Sequence, residues 1–120
     1  KKKIIFLKKL KKKYKIKIHA RTIFLQGLGL QKISNFSSKF TLLKKKIIEI
    51  DKYAKKYKIS RYNFYISLIK SLNIVDCAII GMSNTTDLES IKNSKFKKIK
   101  NEDIYNFEIK NKKLIDPRYW

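Results

Sequence analysis

The 120-residue sequence predicts an α/β fold in which short buried strands alternate with amphipathic helices. Alternating apolar and polar residues at 16–21 pass into the apolar run 23–25, a pattern typical of a buried strand. A second apolar run at 75–80 predicts another strand. Between the two runs, apolar residues recur at helical spacing. Because helices connect the strands, we expect right-handed crossovers and a parallel sheet.

The N-terminal segment predicts a helix over residues 3–14, with Ile4, Leu7 and Leu10 facing inward. The lysines of this segment then form a solvated helix face. The first strand follows and ends at the turn Gln26-Gly27-Leu28-Gly29-Leu30, where glycine permits backbone conformations closed to other residues. A polar loop is predicted over residues 31–38.

Two amphipathic helices are predicted in the middle of the chain. The first begins at a cap formed by Ser37 or Ser38, and the second begins at Ser60 and ends at Asn73. The inward face of the first helix carries apolar residues at steps of four and three, namely Leu43, Ile47, Ile50, Ala54 and Tyr57. The inward face of the second consists of Phe64 or Tyr65, with Leu68, Ile69 and Leu72.

A further helix follows the second strand and is capped by Asn84 or Thr85. Asp87 lies in its first turn, where a carboxylate suits the positive end of the helix dipole. Leu88 and Ile91 are predicted to face inward.

The remaining residues predict a short helix at about 101–107 and a tail that packs through Trp120, with Arg118 able to pair with a carboxylate. Two strands alone make a poor sheet, because their outer edges stay exposed. The sequence therefore predicts part of an α/β domain, a single partial domain over residues 1–120.

Basic residues dominate the composition, since 31 Lys and Arg against 9 Asp and Glu give a formal charge of +22. This charge favours a polyanionic partner, so one candidate function is that of a small lysine-rich nucleic-acid-binding protein. However, only Arg21, Arg61 and Arg118 are arginine, the residue that reads guanine and phosphate through two hydrogen bonds. An AT-rich coding bias explains the excess of lysine without any ligand. On composition alone, nucleic-acid binding and coding bias are about equally favoured, so both explanations stay open.

An aromatic cluster is the second feature that bears on nucleic-acid binding. Tyr62, Phe64 and Tyr65 lie near Arg61 and Lys70, a combination that can stack bases. Stacking platforms are usually sheet surfaces, whereas this cluster lies on a predicted helix. We therefore interpret the cluster as ordinary core contacts.

Residue counts exclude several other classes of function. No run of about 18 uncharged apolar residues occurs, so no membrane span is expected. Cys77 is the single cysteine and His19 the single histidine, which leaves no ligand set for a zinc site. We expect Cys77 to be a buried core residue and His19 to be structural. The single cysteine and the lack of a convincing targeting segment predict a cytoplasmic location.

Residues 19–28, His-Ala-Arg-Thr-Ile-Phe-Leu-Gln-Gly-Leu, resemble the seventh strand and following loop of the aldo/keto reductases. The similarity is to the branch found among surface-polysaccharide synthesis genes. Other segments resemble family motifs in the same order along the chain, namely 53–60 (YAKKYKIS), 69–72, 76–81, 84–91 and 114–120 (LIDPRYW). The resemblance covers nearly the whole sequence.

The resemblance implies that the chain is the C-terminal part of a (β/α)₈ TIM-type barrel, with about the last two strands, their helices and the tail. Members of the family reduce aldehydes or ketones with NADPH or NADH, by hydride transfer assisted by Tyr, Lys, Asp and usually His. Those four residues lie on earlier strands of the barrel, and no residue of this chain occupies a matching motif. We therefore expect a dinucleotide cofactor (NADP or NAD) and a small carbonyl substrate for the full-length protein, and no specific nucleic-acid partner. We expect no catalytic residue in this chain.

The resemblance also implies which residues bind the cofactor, at the carboxyl ends of the strands where barrel enzymes place their sites. The pyrophosphate and nicotinamide side is lined by Phe24, Leu25, Gln26, Gly27 and Leu28. The adenosine side is lined by Gly81, Met82, Ser83, Asn84 and Asp87, and the helix that begins there offers its N-terminus to an anion. Ser83 stands where many NADPH-using members carry Arg or Lys, Asp87 replaces the usual Gln, and Ile91 replaces the usual Asn. NADPH and NADH therefore both remain open.

Overall fold

Two short strands pair in parallel, and helices connect them. The structure is a computed structural model, and it describes residues 2–82 and 84–120. Strand β1 (His19–Arg21) pairs with β2 (Cys77–Ile79) in the register His19–Cys77, Ala20–Ala78 and Arg21–Ile79. The expected α/β class and the parallel pairing of its two strands are confirmed.

Most of the fold is helical. The described residues form six α-helices: α1 (Lys2–Tyr14), α2 (Thr41–Lys56), α3 (Arg61–Ser71), α4 (Thr85–Lys92), α5 (Asn101–Ile104) and α6 (Lys112–Ile115). Short 3₁₀ turns lie at Leu28–Leu30, Ile33–Asn35, Ser38–Phe40, Tyr105–Phe107 and Pro117–Tyr119. Among the described helices, none combines the length and the apolar character needed to cross a bilayer.

The core lies between α2, α3 and residues 95–120, which we call the C-terminal segment. The predicted inward face of α2 is confirmed, because its apolar residues are buried and only Tyr57, just beyond the helix, is half-buried. On α3, Phe64 and Tyr65 are both buried, so neither of the two alternatives is excluded. The buried apolar residues of this core are Leu28, Phe36, Phe40, Leu43, Ile47, Ile50, Ala54, Phe64, Tyr65, Ile99 and Ile104.

Two of the predicted helix caps are confirmed. The Ser60 hydroxyl accepts a hydrogen bond from the Asn63 backbone N–H at 3.1 Å and so caps α3. The Asn84 side-chain oxygen accepts one from the Asp87 N–H at 2.8 Å and caps α4. Each cap satisfies a backbone donor that has no partner within its helix.

The predicted cap of α2 at Ser37 or Ser38 is wrong. The 3₁₀ turn Ser38–Phe40 leads directly into the helix, so Phe40 takes the cap position and no side chain there accepts a hydrogen bond. The Thr41 hydroxyl instead donates to the Ser38 carbonyl at 2.6 Å. The 3₁₀ turn supplies backbone hydrogen bonds where a side-chain cap was expected.

The strands are shorter and more exposed than the sequence predicts. The first strand ends at Arg21, and residues 23–27 form a turn although 23–25 were expected to continue the strand. Cys77, expected in the core, is exposed. The physical reason is that two paired strands bury only the edge between them, so residues on their faces keep contact with solvent.

Two predicted inward faces are confirmed only in part. Helix α1 has no buried residue, and Leu7 is 37% exposed although Ile4 and Leu10 are half-buried. In α4, Leu88 is 53% exposed, whereas Ile91 is half-buried. A two-stranded sheet offers too little apolar surface to cover the faces of both helices.

Asp76 fastens α1 to the start of the second strand. The Lys11 ammonium donates to the Asp76 carboxylate at 2.7 Å and to the Ile74 carbonyl at 3.0 Å. The Ile18 backbone N–H donates to the same carboxylate at 2.8 Å. The hydrogen bond from Ile18, followed by that from Lys11, lowers the pKa of Asp76.

The C-terminal segment lies along α3 and is held by side chains spaced four residues apart. Asn63 accepts a hydrogen bond from the Lys95 N–H at 3.2 Å, Ser67 from Lys97 at 3.0 Å, and Ser71 from Ile99 at 2.9 Å. Alternate backbone N–H groups of an extended segment thus bond to one stripe of the helix. We call these three side chains, Asn63, Ser67 and Ser71, the polar stripe of α3.

The tail packs through Trp120, as predicted, and the structure shows that it packs onto the start of α2. The Trp120 ring lies edge-on to Phe40, with centroids 5.4 Å apart. The expected carboxylate partner of Arg118 is Asp116, with a shortest nitrogen–oxygen distance of 2.5 Å. This pair is on the surface, where solvent weakens the attraction.

Candidate functional site

A cavity of about 460 Å³ lies where the two strands end. One wall is the segment that follows β1, and the opposite wall is the end of β2 with the segment that follows it. Its lining residues are Thr22, Ile23, Phe24, Gln26, Gly27, Leu30, Tyr62, Ile79, Ile80, Gly81, Met82, Asp87 and Ile91. This volume falls within the range of about 300–1,000 Å³ that is typical of small-molecule sites.

The turn after β1 brings backbone donors to the cavity. Leu25, Gln26 and Gly27 have φ values of 52°, 53° and 84°, in the left-handed region. Within the turn, the Leu28 N–H donates to Leu25 at 3.1 Å, and the Gly29 N–H donates to Phe24 at 3.0 Å. Among the described residues, the N–H groups of Gln26 and Gly27 have no hydrogen-bond partner. Adjacent backbone donors of this kind favour an anion or a carbonyl oxygen.

Gly29 fixes the turn against α3. A Cβ atom at this position would lie 2.7 Å from the Tyr65 hydroxyl oxygen and 3.1 Å from the Phe24 carbonyl oxygen. Burial raises the pKa of Tyr65 to about 12, so the phenol stays neutral at ordinary pH. The missing side chain at Gly29 therefore allows the turn to approach the core closely.

The apolar walls of the cavity come from both strand ends and from α3. The Tyr62 ring lies 4.8 Å from the Phe24 ring, and both line the cavity. Ile80 and Ile91 complete the apolar surface on the other side. Such walls suit a flat aromatic or heterocyclic group.

The electrostatics of the cavity differ from those of the chain. Asp87 is the one charged side chain among the described lining residues, although the chain carries a formal charge of +22. Burial raises the pKa of Tyr62, and the negative charge of Asp87 raises it further. The buried Tyr62 hydroxyl has no hydrogen-bond partner among the described residues.

The structure brings most of the predicted cofactor residues together. From the first strand end, Phe24, Gln26 and Gly27 line the cavity, and from the second end Gly81, Met82 and Asp87 do. These two sets come from motifs more than fifty residues apart in the sequence. Their meeting follows from the parallel pairing of β1 and β2, which places both carboxyl ends at one edge.

The other predicted site residues lie elsewhere. Leu25 lines a second cavity, and Leu28 is buried in the core. The Asn84 side chain caps α4, and Asn84 is not among the residues that line the cavity. The prediction for Ser83 falls outside the described residues.

Sequence reasoning missed Tyr62 as a lining residue. Tyr62 is the second residue of α3, two positions after the Ser60 cap, and in the sequence it was assigned only to an aromatic cluster. One signal was available in the sequence. Tyr62 lies two and three positions before Phe64 and Tyr65, so its side chain leaves the helix in a different direction from that pair. The pattern carried no sign that Phe24 is its neighbour in that direction.

Phe64, Tyr65 and the neighbouring Arg61 make contacts within the protein. Phe64 is fully buried, and Tyr65 is buried beside it. The Arg61 guanidinium donates to both oxygens of Asp51, at 2.6 and 2.5 Å, and to the Gln31 carbonyl at 2.6 Å. The interpretation of Phe64 and Tyr65 as core contacts is therefore confirmed.

A second cavity, of about 710 Å³, shares Thr22, Ile23 and Gln26 with the first. Leu25, Ile47 and Tyr65 contribute to its apolar part, and Arg21 and Arg118 lie among its charged residues. Among the described residues, no group of three or more His, Cys, Asp or Glu side chains is arranged to hold a metal ion.

Comparison with protein-family models, with curated proteins and with solved structures finds no match to this chain. The function must therefore be argued from the cavity and its residues.

Proposed function

We propose that the chain is the C-terminal portion of an aldo/keto reductase-like (β/α)₈ barrel and supplies the cofactor-side loops of an NAD(P)-dependent oxidoreductase. The observation that carries the proposal is the shared cavity, because two loops assigned to cofactor binding from separate motifs line it together. The cavity lies at the carboxyl ends of adjacent parallel strands, where ligands of α/β enzymes bind.

The residues of the cavity fit a dinucleotide. The N–H groups of Gln26 and Gly27 suit a pyrophosphate oxygen. Asp87 of α4 also lines the cavity. Phe24 and Ile80 offer apolar surface for a ring. The Tyr62 hydroxyl, which has no partner among the described residues, supplies a hydrogen-bond donor.

Exposed apolar side chains near the sheet support the barrel assignment. Ile79 and Met82 are each more than half exposed, and so is Phe6 on α1. In a closed barrel, neighbouring strands and helices cover such residues. The proposal therefore accounts for apolar surface that two strands leave in contact with water.

The bound nicotinamide cofactor would supply the hydride that reduces a small aldehyde or ketone. The residues of this chain bind and orient the dinucleotide, through the turn at Gly27 on one wall and the segment around Gly81 on the other. No residue of the chain matches a catalytic motif of the family, so the isolated chain binds the cofactor without turnover. The single cysteine favours a cytoplasmic location for the protein.

Titration of NADH and NADPH into the 120-residue chain, followed by calorimetry, tests the proposal. We expect saturable one-to-one binding, and no consumption of NADH when an aldehyde is added. Gly81→Phe fills open space at the cavity wall, because a Cβ atom there meets nothing within 4 Å, and it should weaken binding about tenfold or more.

Leu42→Phe is the matched control, because Leu42 is 60% exposed on α2 and lines neither cavity. Both variants keep the formal charge, so simple attraction to lysine stays constant. Equal binding by the two variants, or no binding of either dinucleotide to the unmodified chain, would contradict the proposal.

A further inference from the structure

The described lining of the cavity carries no cation of the kind that a phosphate monoester needs. No lysine or arginine is among its described lining residues, and the single charged group there is the Asp87 carboxylate. The backbone donors of Gln26 and Gly27 lie on the other wall, in the turn after β1. One wall thus suits a pyrophosphate, and the wall at Asp87 suits a group that donates hydrogen bonds.

Tyr62 and Asp87 form a pair of complementary chemistry. A carboxylate only accepts hydrogen bonds, whereas a phenol can donate one. Both side chains line the same cavity, Tyr62 from α3 and Asp87 from α4. The charge of Asp87 also contributes to the raised pKa of Tyr62. A sugar with neighbouring hydroxyl groups can donate to the carboxylate and accept from the phenol at the same time.

We propose that Asp87, with Tyr62 beside it, selects a dinucleotide whose adenosine ribose carries free hydroxyl groups, so that the chain binds NADH in preference to NADPH. This inference rests on the proposed function. The ribose 2′-hydroxyl donates to the Asp87 carboxylate, as acidic residues do in other NAD sites. A 2′-phosphate cannot donate in this way, and its charge of about −1.5 to −2 at neutral pH is repelled.

The net charge of the chain acts in the opposite direction. A formal charge of +22 attracts the more anionic NADPH from a distance more strongly than it attracts NADH. Salt screens this long-range attraction, with a Debye length of about 8 Å at physiological ionic strength. The contact at Asp87 is shorter and partly enclosed, so salt weakens it less. The preference for NADH should therefore widen as the salt concentration rises.

The test compares NADH with NADPH, and ADP-ribose with its 2′-phosphate, by calorimetry on the full chain at two salt concentrations. At physiological salt we expect NADH and ADP-ribose to bind about tenfold more tightly than their phosphorylated counterparts, the effect of one charge-assisted contact. Asp87→Asn should reduce this ratio to within about threefold. The Asp87 backbone N–H still bonds to Asn84 in the variant, so the start of α4 is retained.

Glu89→Gln is the matched control, because it removes an exposed carboxylate from the same helix without touching the cavity. Glu89→Gln should leave the ratio of the two affinities unchanged. Tyr62→Phe should weaken the binding of NADH several-fold. Tighter or equal binding of NADPH by the unmodified chain would overturn this inference alone, as would an unchanged ratio in Asp87→Asn. Absence of binding by every dinucleotide would overturn both this inference and the proposed function.

Discussion

At the scale of single residues, Gly29 shows how one missing side chain shapes the site. A Cβ atom added at Gly29 would lie only 2.7 Å from the Tyr65 hydroxyl oxygen. Any other residue at this position must therefore displace the buried Tyr65 ring. The φ value of Gly29 is not positive, which means that the constraint is contact with neighbours and not backbone strain. The turn at the cavity is thus fixed by the core beneath it.

We predict that Gly29→Ala lowers the free energy of unfolding by about 1–3 kcal/mol, because a methyl group is forced into a filled space. The midpoint of urea unfolding measures the loss. Gly81→Ala, where the new methyl group meets open space, should stay within about 0.5 kcal/mol of the unmodified chain. Adding Tyr65→Phe to Gly29→Ala should recover part of the stability, since the Tyr65 hydroxyl has no partner among the described residues. A double variant no more stable than Gly29→Ala would refute this account.

At the scale of elements, the polar stripe of α3 replaces a third strand as the partner of the C-terminal segment. Ser71 and the Ile99 N–H form a buried hydrogen bond at 2.9 Å. Removing the acceptor leaves a buried donor without a partner, which costs about 1–3 kcal/mol. We therefore predict that Ser71→Ala destabilises the fold by that amount in urea unfolding. Ser90→Ala, on the exposed surface of α4, is the control and should cost less than about 0.5 kcal/mol. Equal effects of the two substitutions would mean that the stripe does not hold the segment.

Elements with an apolar face of their own were predictable from the sequence. The inward face of α2 repeats at helical spacing and meets α3, which follows it closely in the chain, so periodicity alone located Leu43 and Ile47 in the core. The strands were predicted too long because an apolar run does not reveal how many neighbours a strand has. Cys77 on β2 and Leu88 on α4 are exposed because two strands alone offer too little surface to cover them. The polar stripe was missed because spacing by four identifies a helix face and does not say what lies against it.

The candidate site was predictable to a similar degree. Parallel pairing was enough to bring the segments around Gly27 and Gly81 to one cavity. The direction of each side chain could not be predicted in this way. Leu25 and Leu28 belong to a turn with positive φ values, which point successive side chains to different sides. Tyr62 enters the cavity from a separate helix, and no local pattern in the sequence links it to Phe24.

At the scale of the whole molecule, the positive charge and the cavity are separate features. Lys11 of α1 bonds to Asp76, but Lys8, Lys9 and Lys12 of the same helix are all exposed. The cavity has one negative side chain among its described lining residues. Attraction of a polyanion and binding in the cavity therefore involve different residues and should respond differently to salt.

This separation gives a prediction for nucleic acid. We expect duplex DNA to bind the chain only through phosphates, so affinity should fall by about a thousandfold or more between about 50 and 200 mM salt and should not depend on base sequence. Replacing Lys8, Lys9 and Lys12 together by glutamine should reduce the slope of log affinity against log salt by about two to three, since each phosphate contact contributes about 0.9. Fluorescence anisotropy with two unrelated duplexes measures both quantities.

The same triple variant should keep its NADH affinity at physiological salt, because none of the three lysines lines the cavity. A component that survives high salt and prefers one duplex would instead show base recognition, and the lysine-rich surface would then be a specific site.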